Sequence, residues 1–372
     1  MAAMAAGIYP LCDLRKGCRV EGTGEFLAPP VEERPAPGPG RYFYFDLLRA
    51  LALLRVITYH TAGESWLHYA LPAISVMFGL AGFLMARSLR QRVAGRVVGS
   101  RALRLLPPFW LYGLVAIAIG WETVDRHGLH WAQLLFWVLP LRDPHEGVAG
   151  SNLVDTLWYV RAYLWFVLLS PLALWAYRRA RMLVLAAPIA LLPVVEFLDD
   201  GRDWAGRGLT RDILTYGTCW LLGFAAEEGA IDRLAGWVCV AVAVPVGAVG
   251  LVLTHVLGAA LGHRSLADQT GYALWSAAVV LTLLRWHPET SWLRGLPGVR
   301  RVVSAMNARA VSIYLWHDLA VVLALGLFAT LGLHVTRWAA LPLVLVLTAL
   351  LVLPVGWVED LAARRRPALV PR

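Results

Sequence analysis

The sequence has little charge and few cysteines for its length. Charged residues make up 16% of the 372 residues and hydrophobic residues make up 59%, with a mean hydropathy of +0.60. A soluble domain is about a quarter charged, so this composition excludes an ordinary soluble enzyme and indicates a polytopic membrane protein. The four cysteines form no CxxC or Cys/His spacing, which argues against a zinc site and gives no support to a disulfide framework.

Other common features are also lacking. Residues 1–40 are rich in Pro and Gly and contain no signal-peptide core, so they are predicted to form a disordered tail; a misassigned start codon is an alternative. No internal repeat is evident, which mildly disfavours many secondary-transporter folds. The formal charge of +9 comes from arginine runs at the ends of apolar segments, so no nucleic-acid partner is expected.

Apolar runs of about 17–25 residues predict an all-α fold with ten transmembrane helices. They lie near 43–62, 70–90, 104–121, 155–177, 182–198, 211–228, 235–258, 270–286, 309–332 and 337–358. A weaker run at 131–139, closed by Pro140, is too short to span and is predicted to lie in the interface or to re-enter the membrane.

The arginine clusters predict the orientation of these helices. Arginine-rich connections alternate with connections that are poor in arginine or mixed in charge, which places both termini in the cytoplasm. The predicted organisation is a disordered cytoplasmic tail at 1–40, a transmembrane domain at 41–358 and a basic cytoplasmic tail at 359–372.

The first predicted helix carries an unusual number of ionisable side chains. It reads FYFDLLRALALLRVITYH and includes Arg49 and His60. Each ionisable group at the membrane centre costs about 2.5–3.5 kcal/mol on the insertion scale, so such groups are usually functional. The eleven-residue spacing places these two residues within about 20° of the same helix face, roughly 16 Å apart along the axis.

This spacing suggests distinct roles along one face. Histidine is the usual general base near neutral pH, and arginine binds phosphate or carboxylate. The alternative for His60 is an interfacial histidine bound to a backbone carbonyl. Asp46 is fourteen residues from His60, roughly 21 Å along the helix, and is therefore expected to pair with Arg49 instead.

Two further segments are candidates for chemistry. SRALRLLPPFW places Arg101 and Arg104 one turn apart, which suits a phosphorylated ligand; the alternative is a pair of ordinary topogenic arginines. VSIYLWHDL places His317 and Asp318 inside an apolar run, where His317 could line the cavity of His60 or merely hydrogen-bond between helices. As neighbours on a helix, His317 and Asp318 do not share a face and are not expected to form a dyad.

These features, in this order, resemble the acyltransferase family 3 integral-membrane O-acyltransferases. The family's first helix reads approximately F-D-x-L-R-A-x-A and closes on a histidine, as FDLLRALALLRVITYH does here. Its arginine–ten residues–histidine motif matches Arg49 and His60. Its F-F-x-x-S-G-F motif resembles MFGLAGFLMARS at 77–88, with Ala81 in place of serine.

The resemblance extends from about residue 42 to 358. The family's R-x-x-R motif matches Arg101 and Arg104, and its late serine followed by Y-L-x-H is similar to SIYLWHDL, which contains His317. One departure is LWYVRAYLWF, where Tyr163 stands at the position of a family glutamate and Arg161 suggests a different subgroup. The segment 359–372 is only a short basic tail, so no appended soluble domain is expected.

The resemblance implies transfer of an acyl group, expected to be acetyl, from cytoplasmic acyl-CoA. The implied acceptor is a hydroxyl of a sugar, a polysaccharide precursor or a glycosylated metabolite. His60 is the implied general base, and the implied substrate-binding residues are Arg49, Arg101, Arg104, Asp46 and His317. Acyl-CoA is then a co-substrate in a multi-pass plasma-membrane enzyme, with no bound cofactor or metal expected.

Two other functional classes are compatible with the residues alone. A small-molecule permease would use the buried Arg and His groups to bind a charged substrate. A structural membrane scaffold would explain the hydrophobicity but not the Arg–His face. The alanine- and arginine-rich composition suggests a high-GC bacterium. Acyl length, acceptor, acyl-enzyme formation and oligomeric state are not predicted.

Overall fold

The computed structural model describes residues 39–120, 131–143, 151–154, 156–199, 206–257 and 264–369, and these residues form helices without strands. The helices are α1 (Pro39–Ala62), α2 (Trp66–Ala70), α3 (Ala73–Gln91), α4 (Ala94–Gly120), α5 (Trp131–Val138), α6 (Ser151–Val154), α7 (Leu157–Arg179), α8 (Arg181–Asp199), α9 (Arg207–Glu227), α10 (Gly236–Val252), α11 (Arg264–Arg285), α12 (Ser291–Gly295), α13 (Pro297–Ala308), α14 (Ala310–Thr330) and α15 (Arg337–Ala362). A π-helical turn, Leu253–Leu257, extends α10. The tail predicted to be disordered lies almost wholly outside these residues.

Each predicted span coincides with one long helix. Seven of the described helical segments are long and apolar enough to cross a membrane by length and composition: Trp66–Gln91, Ala94–Ile119, Leu157–Arg179, Arg181–Leu198, Gly236–Val256, Ala310–Thr330 and Arg337–Ala362. The other three long helices, α1, α9 and α11, carry several ionisable residues within their apolar sequence. The all-α class is confirmed, while ten spans and two cytoplasmic termini stay predictions.

The ends of several helices differ from the prediction. The third span was expected to begin at 104, but α4 begins at Ala94 and continues through Pro107 and Pro108. The segment from Arg285 to Arg309 was expected to be a loop, but it contains α12 and α13. Pro at the first position of α13 favours a helix start, because proline needs no amide partner there.

Glycines allow α3 and α9 to pack backbone against backbone. A Cβ added to Gly82 would lie 2.2 Å from the Trp220 carbonyl oxygen, and a Cβ added to Gly223 would lie 2.2 Å from the Gly79 carbonyl oxygen. Such close approach is the role of small residues at membrane helix interfaces, where dispersion contacts replace the hydrophobic effect. These two helices form a tight pair at the centre of the main core.

Aromatic side chains fill the space beside this pair. Phe166 of α7 stacks on Trp220 with ring centroids 5.0 Å apart, and Phe78 of α3 lies 4.9 Å from Phe166. All three are buried. By contrast, α8 and α10 expose large apolar side chains such as Leu183 and Val244, as expected for helices that face lipid.

The weak run at 131–139 forms the eight-residue helix α5, which is too short to span. Trp110 of α4 donates its indole N–H to the Val138 carbonyl oxygen at 2.7 Å. Trp137 is buried and lies against Gly113, where a Cβ would come within 2.9 Å of its ring. Helix α5 is therefore packed against α4.

Candidate active site

Two histidines and an aspartate from α1 and α14 form a compact cluster. His60 Nδ1 lies 3.0 Å from Asp318 Oδ1, and the same oxygen lies 3.3 Å from His317 Nε2. The two imidazole centroids are 4.9 Å apart, with the rings nearly perpendicular. The His317 side chain is completely buried and that of Asp318 is 7% exposed, whereas that of His60 is 33% exposed. His60 is therefore the most accessible member of the cluster.

The contact with Asp318 fixes the useful tautomer of His60. A carboxylate can only accept, so Nδ1 of His60 carries the hydrogen and donates it to Oδ1. Neutral His60 then has an unprotonated Nε2, which is able to take a proton from a substrate. A base oriented by a buried carboxylate is also the arrangement of Ser-His-Asp catalysis, where the carboxylate stabilises the imidazolium that forms.

His317 occupies the inner side of the cluster. Its Nδ1 donates to the Tyr314 carbonyl oxygen at 2.6 Å, within its own helix. The sequence left open whether His317 lies beside His60 or bonds between helices; the structure places it beside His60 and bonds its Nδ1 inside α14. As helix neighbours, His317 and Asp318 were not expected to form a dyad. Asp318 Oδ1 does lie 3.3 Å from His317 Nε2, but that nitrogen has no hydrogen-bond partner in the described part of the chain, and the carboxylate bonds to His60 of α1 instead.

A buried glutamate on α15, Glu359, fixes the start of α14. It thereby fixes the position of His317 and Asp318 along the axis of that helix. The Glu359 carboxylate accepts from the Ser312 amide at 3.2 Å, the Ser312 hydroxyl at 2.8 Å and the Val311 amide at 3.4 Å. These amides belong to the first turn of α14, where the helix dipole favours negative charge. Helix α15 thereby positions the helix that carries His317 and Asp318.

Four arginines line a cavity that has a volume of about 510 Å³. Arg49, Arg101 and Arg104 line it, as the sequence grouping predicts for a common anion site, and Arg365 joins them from beyond α15. Glu359 is the carboxylate among the lining residues, and it is already bonded to α14. The cavity is therefore strongly cationic.

The predicted arginines differ in their partners. Arg49 lies 3.9 Å from Asp46 and donates to Asn307 Oδ1 at 3.2 Å. Arg101 donates to neutral acceptors, the Leu84 carbonyl and the Ser88 hydroxyl. Arg104 has no hydrogen-bond or carboxylate partner among the residues that the structure describes, which leaves its guanidinium available to an anion.

The arginine-lined cavity and the histidine cluster are adjacent, but the histidines do not line the cavity. Neither His60 nor His317 lines the cavity, whereas Tyr159 and Tyr314 do. The Tyr314 ring lies 5.7 Å from the His317 ring and 4.6 Å from the Tyr159 ring. The pair of tyrosines therefore stands between the arginines and the histidines.

The two residues that depart from the family pattern, Tyr163 and Arg161, lie in different environments. Tyr163, at the family's glutamate position, lines the cavity and lies 3.5 Å from Arg101. Arg161 is buried and pairs with Asp143 and Asp212, away from the cavity lining. Tyr163 thus adds a neutral hydroxyl, rather than a carboxylate, beside the arginines.

The histidine cluster also has the composition of a metal site. His60, His317 and Asp318 can each offer one ligand atom, and these atoms lie within 4.8 Å of one another. Two imidazoles and a carboxylate suit a divalent transition metal. The 3.0 Å contact between His60 Nδ1 and Asp318 Oδ1 already has the geometry of a direct hydrogen bond, whereas Nε2 of His317 is buried and has no hydrogen-bond partner among the described residues.

An oriented histidine beside a cationic cavity, within a bundle of apolar helices, is the arrangement expected of a membrane-embedded transferase. The comparison with protein families agrees: the acyltransferase family 3 model, described as an acyltransferase domain, matches residues 42–357. The chain belongs to this family and is an acyltransferase, which confirms the resemblance seen in the motifs and favours the enzyme over the permease. No curated protein and no solved structure matches the chain.

Proposed function

We propose that this protein is an integral-membrane O-acyltransferase of the bacterial plasma membrane. It moves an acetyl group from cytoplasmic acetyl-CoA to a hydroxyl of a sugar, a polysaccharide precursor or a glycosylated metabolite. The observation that carries the proposal is the contact between Asp318 and His60, because it supplies an oriented base within a chain of the acyltransferase family.

The donor's diphosphate group binds in the cationic cavity. Arg49, Arg101 and Arg104 line it from two helices, and guanidinium groups bind phosphate with short, charge-assisted hydrogen bonds. Arg104 is the principal anion ligand in this assignment because it has no carboxylate partner in the described part of the chain. The acyl arm extends past Tyr314 towards the histidines.

His60 activates the acceptor. The acceptor hydroxyl oxygen attacks the carbonyl carbon of the thioester while its proton passes to Nε2 of His60. Asp318, bonded to Nδ1, stabilises the positive charge that develops on the ring. The tetrahedral intermediate then breaks its carbon–sulfur bond, and the leaving thiolate takes the proton from the imidazolium. The base is thus returned neutral for the next turnover.

Radiolabelled acetyl-CoA tests this proposal on the purified full chain in detergent. Methyl glycosides serve as acceptor probes, and free thiol and labelled ester are measured; even without a glycoside, slow thiol release is expected with water as acceptor. His60→Ala should reduce turnover about 10²–10⁴-fold, the usual contribution of a general base.

His334→Ala is the matched control, because His334 is exposed between α14 and α15. Its turnover should equal that of the wild-type protein. Retention of wild-type turnover by the His60→Ala protein would refute the assignment of the base. If the wild-type protein released no thiol and formed no labelled ester, the assignment of acetyl-CoA as the acyl donor would be refuted.

A further inference from the structure

A second cavity lies beside the first and shares part of its wall. Its volume is about 370 Å³, and Asn307, Ala308 and Arg365 line both cavities. Arg300 and Asp46 line only the second. A ligand bound among the arginines of the first cavity can therefore extend into the second without leaving the protein surface.

Arg365 is held in place between the two cavities. Its Nε lies 3.2 Å from Asp360 Oδ1, and its Nη2 donates to the Ala308 carbonyl oxygen at 2.9 Å. Asp360 is itself fixed by Arg309 at 2.6 Å and by the Ala368 amide at 3.1 Å. The residues after α15 thus fold back on its end, and Nη1 of Arg365 has no hydrogen-bond partner in the described residues.

The second cavity keeps a net positive character. Arg300 is exposed on α13, and within the described ranges no carboxylate lies within salt-bridge distance of it. Asp46 supplies the opposing charge, but it is half exposed and lies 3.9 Å from Arg49 of the first cavity. Arg300 and Arg365 are therefore the two cations that face an anion here, with the Ser304 hydroxyl as a neutral donor.

We propose that this second cavity binds the ribose 3′-phosphate of the acyl-CoA donor. The inference rests on the proposed function, which assigns the first cavity to the rest of the donor's phosphates. A phosphomonoester carries about −1.5 to −2 charges at pH 7 and has three acceptor oxygens, which suits two guanidinium groups and a hydroxyl. The same chemistry would also bind the phosphate of an anionic lipid headgroup, so the experiment must separate these two sources.

Donors with and without the 3′-phosphate provide the test. The full chain is reconstituted in nanodiscs of phosphatidylcholine alone, and thiol release from acetyl-CoA is compared with release from 3′-dephospho-acetyl-CoA. The wild-type protein should show a kcat/KM about tenfold or more lower for the dephospho donor, the order expected for one lost charge-assisted hydrogen bond. Arg300→Ala and Arg365→Ala should lower kcat/KM for acetyl-CoA. The kcat/KM values for the two donors should then be nearly equal.

Arg301→Ala is the matched control, because Arg301 is exposed on the same helix and lines neither cavity. It should keep the wild-type preference. Equal use of both donors by the wild-type protein would overturn the inference and leave the proposed function standing. Equal use of both donors, together with a rise in turnover on adding anionic lipid that Arg300→Ala abolishes, would assign the cavity to a headgroup and overturn the inference too. No turnover with either donor would refute the proposed function and this inference with it.

Discussion

Replacing Asp318 with Asn is expected to disable His60, the proposed base, while leaving the proposed donor cavity intact. Asp318 Oδ1 lies 3.0 Å from His60 Nδ1. An amide has nearly the same shape but carries hydrogens on one of its two terminal atoms. If the NH₂ group faces Nδ1, the His60 proton moves to Nε2, and the nitrogen that should accept the substrate proton is blocked.

The magnitude follows from what the carboxylate contributes. Asp318→Asn removes both the orientation of the ring and the negative charge beside the imidazolium, while the side-chain volume stays the same. We expect kcat to fall about 10²–10⁴-fold, which corresponds to about 3–5 kcal/mol of transition-state stabilisation. The KM for acetyl-CoA should change little, because Asp318 does not line the arginine cavity.

The assay is thiol release from acetyl-CoA by purified protein, with kcat and KM determined separately. Asp268→Asn is the control, because Asp268 is an exposed aspartate on α11 and should give wild-type values. A kcat for Asp318→Asn within about threefold of wild type would refute the role of Asp318. A change confined to KM would show instead that Asp318 acts in binding.

Three further predictions concern the cavity, the helix packing and the anchor of α14. Arg104→Ala should raise the KM for acetyl-CoA about tenfold with little change in kcat, since it removes a proposed phosphate ligand and leaves His60 in place. An unchanged KM in steady-state kinetics would contradict this role. Gly223→Ala should destabilise the fold by at least about 1–3 kcal/mol, because its Cβ would meet backbone atoms at 2.2–2.5 Å, and should lower the thermal unfolding midpoint in detergent. Gly326→Ala is the control and should not lower the midpoint, because nothing lies within 4 Å of the added Cβ. Equal midpoints for the two variants would show that the pairing of α3 and α9 does not depend on close packing. Glu359→Gln should lower kcat and the unfolding midpoint together, because the charge at the first turn of α14 is lost; a normal midpoint with a normal kcat would exclude Glu359 as the anchor.

The helical periodicity was sufficient to group some of the candidate residues. Arg101 and Arg104 are one turn apart on α4, and both line the first cavity with Arg49. Apolar run length was likewise sufficient to locate the long helices, because a membrane segment must satisfy its backbone hydrogen bonds internally. These features depend on sequence neighbours within one helix, which is why a single sequence reveals them.

Contacts between segments that are far apart in the sequence could not be predicted in this way. Asp318 meets His60 only because α14 packs beside α1, and no local pattern specifies that pairing. Asn307 and Arg365 were missed because the segments that contain them were expected to be a loop and a tail. The available signals were weak ones: Pro297 at a helix start, and an arginine run just after the last apolar helix.

The early start of α4 has a physical reason that hydropathy does not measure. Residues 94–103 include Arg96 and Arg101, so an apolar window excludes them. In the structure Arg101 donates to the Leu84 carbonyl oxygen and the Ser88 hydroxyl of α3, and this ties the polar first turns of α4 to a neighbouring helix. Tertiary hydrogen bonds therefore extend the helix beyond its apolar part.

The separation between the arginines and His60 bears on the chemistry of the donor. Arg49 and His60 lie about 16 Å apart along α1, and the Tyr159–Tyr314 pair stands between the cavity and the histidines. In an acyl phosphate the reactive carbonyl carbon is bonded directly to a phosphate oxygen, so a phosphate held at Arg49 would leave that carbon far from the base. A thioester at the end of a long, narrow arm would meet both requirements, because in the proposed function its phosphates bind at the arginines while its carbonyl reaches His60. The proposed acyl-CoA donor therefore fits this spacing better than a compact activated acyl donor would.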